Sequence, residues 1–344
     1  MLSRQKGIRL SALVLLLLGA LLLDIAIGSV RIPLHEVFKT LFSGRGDNET
    51  WRYIIEKIRV PKAFTAVLAG CGLSVSGLQM QTMFRNPLAE PSMLGITAGA
   101  SFGVAAVMFA GGNIATLYTI KELGLAGSWL ITIAACVGAG SIMLLVIAVS
   151  GAIRDNVVML IVGIMIGTIT LSIISIWQYF AEPELVKDYL LWTFGSLGGV
   201  SGNQLIILAI VIAVGLTISF FSSKMLDALL LGENYARSMG LTIRRARLII
   251  ICSTSLLAGS ITAFCGPIGF IGVAVPYIAR SLFNTSSHRI LIPGCCLIGC
   301  LLMLICDVIA QLGKQAVLPI NIVTSLVGAP VVIWIILRKN NIRF

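Results

Sequence analysis

The side chains that do chemistry are few in this sequence and far apart. There are two histidines, His35 and His288, widely separated along the chain. No Gly-x-x-x-x-Gly-Lys-Ser/Thr stretch occurs, so the chain has no phosphate-cradling loop of that kind. Nor is there a His-Glu-x-x-His pair or a Gly-x-Ser-x-Gly turn. All eight cysteines lie in or beside apolar segments. The densest group, Cys295-Cys296-x-x-x-Cys300, has no histidine or carboxylate beside it, which fits small hydrophobic packing better than a metal site. Asp24 and Asp307 fall near the ends of apolar runs, where water is expected to reach them. Gln79 and Gln81 stand deep in another run, either as interhelical hydrogen-bonding groups or as the lining of a pathway. No catalytic residue, cofactor or bound metal is expected.

One stretch, residues 222–247 (SSKMLDALLLGENYARSMGLTIRRAR), stands out by its mixed polarity and basic end. Met225, Leu226, Leu229 and Leu230 recur at helical spacing until Gly232 interrupts them. A second short run, 233–239, stops at Gly240, which suits a left-handed C-cap. Two stubby amphipathic helices held against a membrane would suit the gripping of a soluble partner. The alternative is an ordinary connecting loop.

The elements that must position these residues are hydrophobic. Of the 344 residues 58% are hydrophobic and only 11% charged, against roughly 25% charged in soluble domains. Mean hydropathy is +1.01. The apolar runs reach the roughly 20 residues that a spanning helix needs, and the 35 glycines suit close helix packing in lipid. The fold expected is an all-α polytopic membrane protein of about ten transmembrane helices, a single domain over 1–344. The net charge of +11 bears on orientation, not on nucleic acid, because no basic patch is interleaved with aromatics.

Along the chain, Arg4, Lys6 and Arg9 precede an apolar run, 10–27, that is too long for a signal core and lacks a small-x-small cleavage site. It reads as a retained first helix with a cytoplasmic N-terminus. Residues 30–61 form an external polar connection, more basic than the positive-inside tendency favours, which suits docking of an acidic partner. The plain alternative is that so long a connection escapes the rule. Further spans are expected at 63–83, 92–110, 126–149, 157–180, 204–221, 248–264, 292–311 and 323–337, with a broken or kinked helix at 266–280. Residues 182–188 read as an external polar loop. The Gly-rich segment 192–199 reads as a half-helix packed against the bundle or lining a cavity. Cytoplasmic Lys and Arg outnumber external ones, so both termini are placed inside.

The residues then resemble a known family over nearly the whole length. The matching stretches are Arg59-Val-Pro-Lys62, Gly77 with Gln79 to Gln81, Asn86-Pro-Leu-Ala-Glu-Pro91 with Leu94-Gly95, and Leu231-Gly-Glu-Asn-Tyr-Ala-Arg-Ser-Met-Gly240. Gly269-Phe-Ile-Gly272 with Pro276 and Arg280 follows, then His288-Arg289, Leu318-Pro319, Ile322-Val-Thr324 and Gly328-Ala-Pro330. In order and spacing these resemble the FecCD-type permeases of bacterial type II ABC importers. The resemblance implies a multi-pass protein of the bacterial inner membrane. It would work with a second permease copy, a cytoplasmic ABC ATPase dimer and an external substrate-binding protein, in contact with lipid and not with nucleic acid. The implied cargo is a metal chelate: a ferric siderophore foremost, with haem and cobalamin as alternatives.

By the same resemblance Leu231, Gly232, Glu233, Ala236, Arg237 and Gly240 belong to an ATPase coupling element. Asn86 and Leu88 would narrow the pathway at its cytoplasmic end, with Asn156 and Val157 as a second constriction. Arg59 and Lys62 would pair with glutamates of the binding protein. The sequence departs from the family pattern at Lys62, where arginine is usual, at Gln311, where an arginine often closes Asp-x-x-Ala-Arg, at Asn321 and at Tyr277. Lys314 is a candidate substitute for the arginine absent at Gln311. Arg244, Arg245 and Arg247 read as a membrane-surface anchor separate from the ATPase contact. The competing class is a stand-alone secondary transporter or channel, which would need an internal ion site or repeat that the sequence does not show.

Overall fold

In the computed structural model the described residues are 2–28, 30, 32–43, 48–109, 125–150, 153, 155–200, 202–312 and 317–338, and no strand occurs among them. Expectations resting on Arg31, Arg45, Arg154, Lys314, Lys339 and Arg343 lie outside these residues. In chain order the helices are α1 (Leu2–Ala26), α2 (Leu34–Ser43), α3 (Glu49–Phe84), α4 (Ile96–Phe109), α5 (Leu125–Ser150), α6 (Asn156–Phe180) and α7 (Pro183–Thr193). They continue as α8 (Gly202–Phe221), α9 (Ser223–Leu230), α10 (Glu233–Ser238), α11 (Ile243–Cys265), α12 (Ile271–Phe283), α13 (His288–Gln311) and α14 (Ile320–Arg338). Among the described residues seven helices are long and apolar enough to span a membrane, and three shorter apolar ones lie in α4, α12 and α14. Together they are the segments that hydropathy predicts.

The bundle is organised around α3. In its apolar window 83% of the residues are buried, against 28% for α5, α6 and α8 and 17% for α1. It packs most extensively on α13, and also on α12, α8 and α11. Two crossings bring backbone against backbone. A Cβ at Gly70 would sit 2.2 Å from the Gly299 carbonyl oxygen of α13, and one at Gly77 would sit 1.9 Å from that of Gly272 in α12. Only glycine permits such approach, and without a hydrophobic drive between helices in lipid this close packing supplies the attraction.

The central helix begins earlier than hydropathy predicts, at Glu49 and not near residue 63. Asn48 caps it, its Oδ1 accepting from the Thr50 and Trp51 amides at 2.9 and 3.3 Å. Its first turns are polar, so apolar patterning misses them. Before Pro61, which cannot donate to the ladder, residues Ile55–Arg59 widen into a π turn that absorbs the missing bond. A second π turn, Ser255–Gly259, interrupts α11.

The polar stretch expected as a loop at 182–188 is helical, since it forms most of α7. The residues expected as a half-helix, 192–199, are irregular beyond Thr193. They are pinned by Ser196 N–H to the Cys265 carbonyl at 2.7 Å and by Asn321 N–H to the Phe194 carbonyl at 3.2 Å. Trp192, Ser196 and Gly199 line a cavity of about 350 Å3 with Ser128 and Gly266. The broken eighth segment matches expectation. Residues 266–270 are irregular, with Gly266 at φ +75°, and α12 follows with Pro276 inside it.

Candidate functional site

The polar ends of the helices gather at two poles. At the first, the start of α1 meets the end of α12, where Arg9 donates to the Leu282 carbonyl. The end of α3, the start of α6, the α9–α10 pair and the start of α13 lie at the same pole. The end of α12 thus lies on the same side as the start of α1, the side that the distribution of Lys and Arg assigns to the cytoplasm.

At this cytoplasmic pole α9 and α10 form the element expected between Ser222 and Gly240. Gly232 joins them at φ +106° and ψ 151°, a conformation open to glycine alone. The Gly240 cap is formed as expected. At φ +85° its N–H reaches the Arg237 carbonyl at 2.9 Å, and Leu241 N–H reaches that of Ala236 at 3.0 Å. Ala236 is fully buried, so it faces the bundle. Leu231, Tyr235 and Met239 are 63%, 52% and 64% exposed and form an outward apolar row. Tyr235 and Met239 were missed in the sequence, although the four-residue spacing that they share with Leu231 was the available signal.

One expectation is corrected here, that of Arg247. Glu233, placed by resemblance in the coupling element, is engaged within the chain. Its Oε1 lies 2.7 Å from the Arg247 guanidinium, and its Oε2 3.7 Å from that of Arg237. Arg247 is not a surface anchor like the exposed Arg244 and Arg245. It is buried, and its second nitrogen donates to the Ile153 carbonyl at 2.9 Å. The hydropathic pattern cannot show this, because the three arginines differ only in which face of α11 they occupy.

The gate candidates lie on two segments joined by one hydrogen bond. The α3 helix ends in the double bond of a Schellman motif, Asn86 N–H to the Gln81 carbonyl and Arg85 N–H to that of Thr82, with Arg85 itself left-handed at φ +48°. Asn86 Oδ1 accepts from Leu88 N–H at 3.0 Å and shapes the turn. Asp155 caps α6, accepting from the Val157 and Val158 amides at 2.6 and 3.3 Å. Asn156 Nδ2 donates to the Met83 carbonyl at 3.0 Å, which ties α6 to the end of α3. Leu88 and Val157 are left exposed, at 44% and 61%.

His288 is buried behind this element. Its Nδ1 meets Asp227 Oδ1 at 2.6 Å and its Nε2 meets Thr82 Oγ1 at 2.8 Å, joining α9, α13 and α3. Partial burial acts to raise the Asp227 carboxyl, but the hydrogen bonds and charge of His288 outweigh it and hold the carboxyl below its usual range.

At the external pole the expected docking cations point inward. Arg59 is 6% exposed and donates to the Ile25 and Ala26 carbonyls at 2.9 and 2.7 Å, and to that of Val30. It thus closes the C-terminal end of α1, where free carbonyls favour a cation. Lys62 Nζ lies 2.9 Å from Asp307 Oδ1. Gln311 Nε2 bridges Asp307 Oδ2 at 2.9 Å and Asp24 Oδ1 at 3.0 Å. Asp24 and Asp307 are 3% and 2% exposed, not water-bathed as their position near helix ends suggests. At the third departure from the family pattern, Asn321 Oδ1 accepts from Gly269 N–H at 3.1 Å and holds the start of the broken segment.

Between the poles Gln79 and Gln81 are interhelical glue. Gln79 donates to Ser253 Oγ at 3.2 Å and accepts from Thr254 Oγ1 at 3.1 Å. Gln81 accepts from Arg280 at 2.7 Å and donates to the Val273 carbonyl at 3.2 Å. Cys71, Cys295 and Cys300 are buried, and the Cys300 thiol donates to the Val67 carbonyl at 3.2 Å.

A bundle of long apolar helices around one buried helix defines a multi-pass membrane protein. The FecCD transport family model matches residues 15–338, and the chain belongs to that family of ABC importer permeases. It is a transport subunit of the bacterial inner membrane, not an enzyme. The chain is 34% identical over 340 residues to the vitamin B12 import system permease protein BtuC of Citrobacter koseri, covering 98% of this chain and 96% of that one. It is also 34% identical over 339 residues to that of Escherichia coli O139:H28, covering 98% and 97%. Its fold matches that of a metal-chelate type ABC transporter in an inward-facing conformation, with a TM-score of 0.83 and 24% identity over 97% of this chain and 100% of that chain.

Proposed function

We propose that the chain, as a homodimer, forms the transmembrane pathway of an ATP-driven importer for a metal chelate, cobalamin or a ferric siderophore. An external binding protein delivers the chelate and a cytoplasmic ATPase dimer drives its passage. The observation that carries this reading is the exposed Leu231–Tyr235–Met239 row on a chain with no nucleotide-binding loop of its own. An apolar row beside water at the cytoplasmic pole calls for a soluble protein to cover it. Asn86, Leu88, Asn156 and Val157 then sit where cytoplasmic closure would occur. Arg59 and Lys62 support external docking indirectly, by fixing α1, α3 and α13 beneath the docking surface. The two-fold choice of cargo rests on the vitamin B12 permeases at 34% identity and on the metal-chelate transporter fold.

The test has two arms. Tyr235→Ser with Met239→Ser is expected to abolish co-purification of the partner ATPase while the permease remains folded in detergent. Unchanged co-purification would refute the docking row. Uptake of cobalamin, haem and ferric siderophores by vesicles carrying the whole system then assigns the cargo. Uptake of none of them would refute the chelate reading.

A further inference from the structure

Arg247 joins two places that the functional reading keeps apart. One of its terminal nitrogens contacts Glu233 Oε1 at 2.7 Å, on the helix that carries Tyr235. The other donates to the Ile153 carbonyl at 2.9 Å, two residues before the cap of α6. From there the chain of bonds is short. Asp155 holds the Val157 and Val158 amides, and Asn156 holds the Met83 carbonyl at 3.0 Å, at the last turn of α3 before Asn86.

We propose that Arg247 is the positioning residue that carries displacement of α10 to the cytoplasmic gate at Asn156 and Val157. The inference rests on the ATPase-coupling reading of α10. Its physical basis is the planar guanidinium, whose nitrogens have fixed relative positions, so one partner cannot shift without shifting the other or breaking a bond. Breaking is costly here because Arg247 is 6% exposed, and a buried charge that loses its partner destabilises strongly. Moving Glu233 therefore drags the guanidinium, and with it the Ile153 carbonyl at the entrance to α6. Arg237 touches only the other carboxylate oxygen, at 3.7 Å, and is 57% exposed in its side chain, so it does not substitute for this link. Arg85 lies against the same junction, its Nη1 3.6 Å from where a Cβ on Gly232 would stand. It thus lies beside the α9–α10 joint on the Asn86 side.

The experiment uses the intact complex with its ATPase and binding protein in lipid nanodiscs. Amide exchange is followed by mass spectrometry in α10 and at Val157–Val158, with and without ATP and vanadate. In the wild type both regions change on nucleotide binding. In Arg247→Met the α10 response persists while the Val157–Val158 response falls about five-fold or more, the size of an ordinary coupling energy. Arg247→Lys keeps the charge but not the fork, and shows the same separation in a complex that retains the Glu233 pair. A purely structural role would raise exchange in both regions without nucleotide and leave the response at Val157–Val158 intact. That result, in either variant, overturns the proposal. An absent α10 response in a wild-type complex that hydrolyses ATP overturns the coupling reading beneath it.

Discussion

The two poles of the permease handle charge in opposite ways. At the external pole Arg59, Lys62, Asp24, Asp307 and Gln311 spend their hydrogen bonds on one another and on helix ends, and Arg59, Asp24 and Asp307 are nearly dry. At the cytoplasmic pole Arg247 is buried between α10 and the segment leading into α6, while its neighbours Arg244 and Arg245 and the apolar row Leu231, Tyr235 and Met239 face outward. The external arrangement fixes helices relative to each other. The cytoplasmic arrangement joins short helices through single side chains and leaves their outer faces open. Buried charge serves rigidity in the first case and linkage in the second.

The largest test of this contrast is Lys62→Met. It leaves Asp307 buried without its cation and is expected to cost about 3–5 kcal/mol, read as a large fall in thermal unfolding temperature in detergent. Lys62→Met with Asp307→Leu should recover most of the loss. A small effect of the single change would mean that the external pole is not the rigid one. A smaller effect of opposite sign is expected at the other pole. Arg85 occupies the left-handed region as a non-glycine residue, so Arg85→Gly should stabilise the fold by about 1 kcal/mol, seen as a modest rise in the same unfolding temperature. A fall would show that the Arg85 side chain contributes more than its backbone strain costs.

The smallest effect is a pH dependence. The Asp227 carboxyl is held down in the fold by His288, so its contribution is fully present above its unfolded value of about 3.9 and is lost as pH falls through the lower folded value. Unfolding followed from pH 6 to pH 3 (an interval of order a few units around the carboxylate range) should show a slightly steeper acid loss for the wild type than for Asp227→Asn. Parallel profiles would remove Asp227 from the linkage.

Much of this was legible in the sequence, and the failures share a cause. The spans, the broken segment before α12, the Gly240 cap and the glue role open to Gln79 and Gln81 follow from local patterns: apolar length, glycine with proline, and amides that need partners in lipid. The early start of α3 and the helical α7 were hidden because their turns are polar and hydropathy sees only apolar length. The inward direction of Arg59, Lys62, Glu233 and Arg247 depends on residues far along the chain, such as Asp307 for Lys62 and Ile153 for Arg247. A charge near a helix end looks the same in sequence whether it faces water or a distant carboxylate. Helical spacing with Gly232 and Gly240 located the α9–α10 element and family likeness suggested its coupling role, but neither showed which of its residues face outward.

The π turn at Ser255–Gly259 carries a further consequence. A π turn holds one residue more than the α-helix it interrupts, so the two halves of α11 are out of phase. Wound as a continuous α-helix, the same residues would turn Ile243–Thr254 against Ser260–Cys265 by about 100°. Arg247 would swing off the Glu233 side, and Ser253 and Thr254 would leave Gln79. The surplus residue thus acts as a phase setting: one helix presents its inner face correctly to two different sets of neighbours, which an uninterrupted helix of the same sequence could not satisfy together.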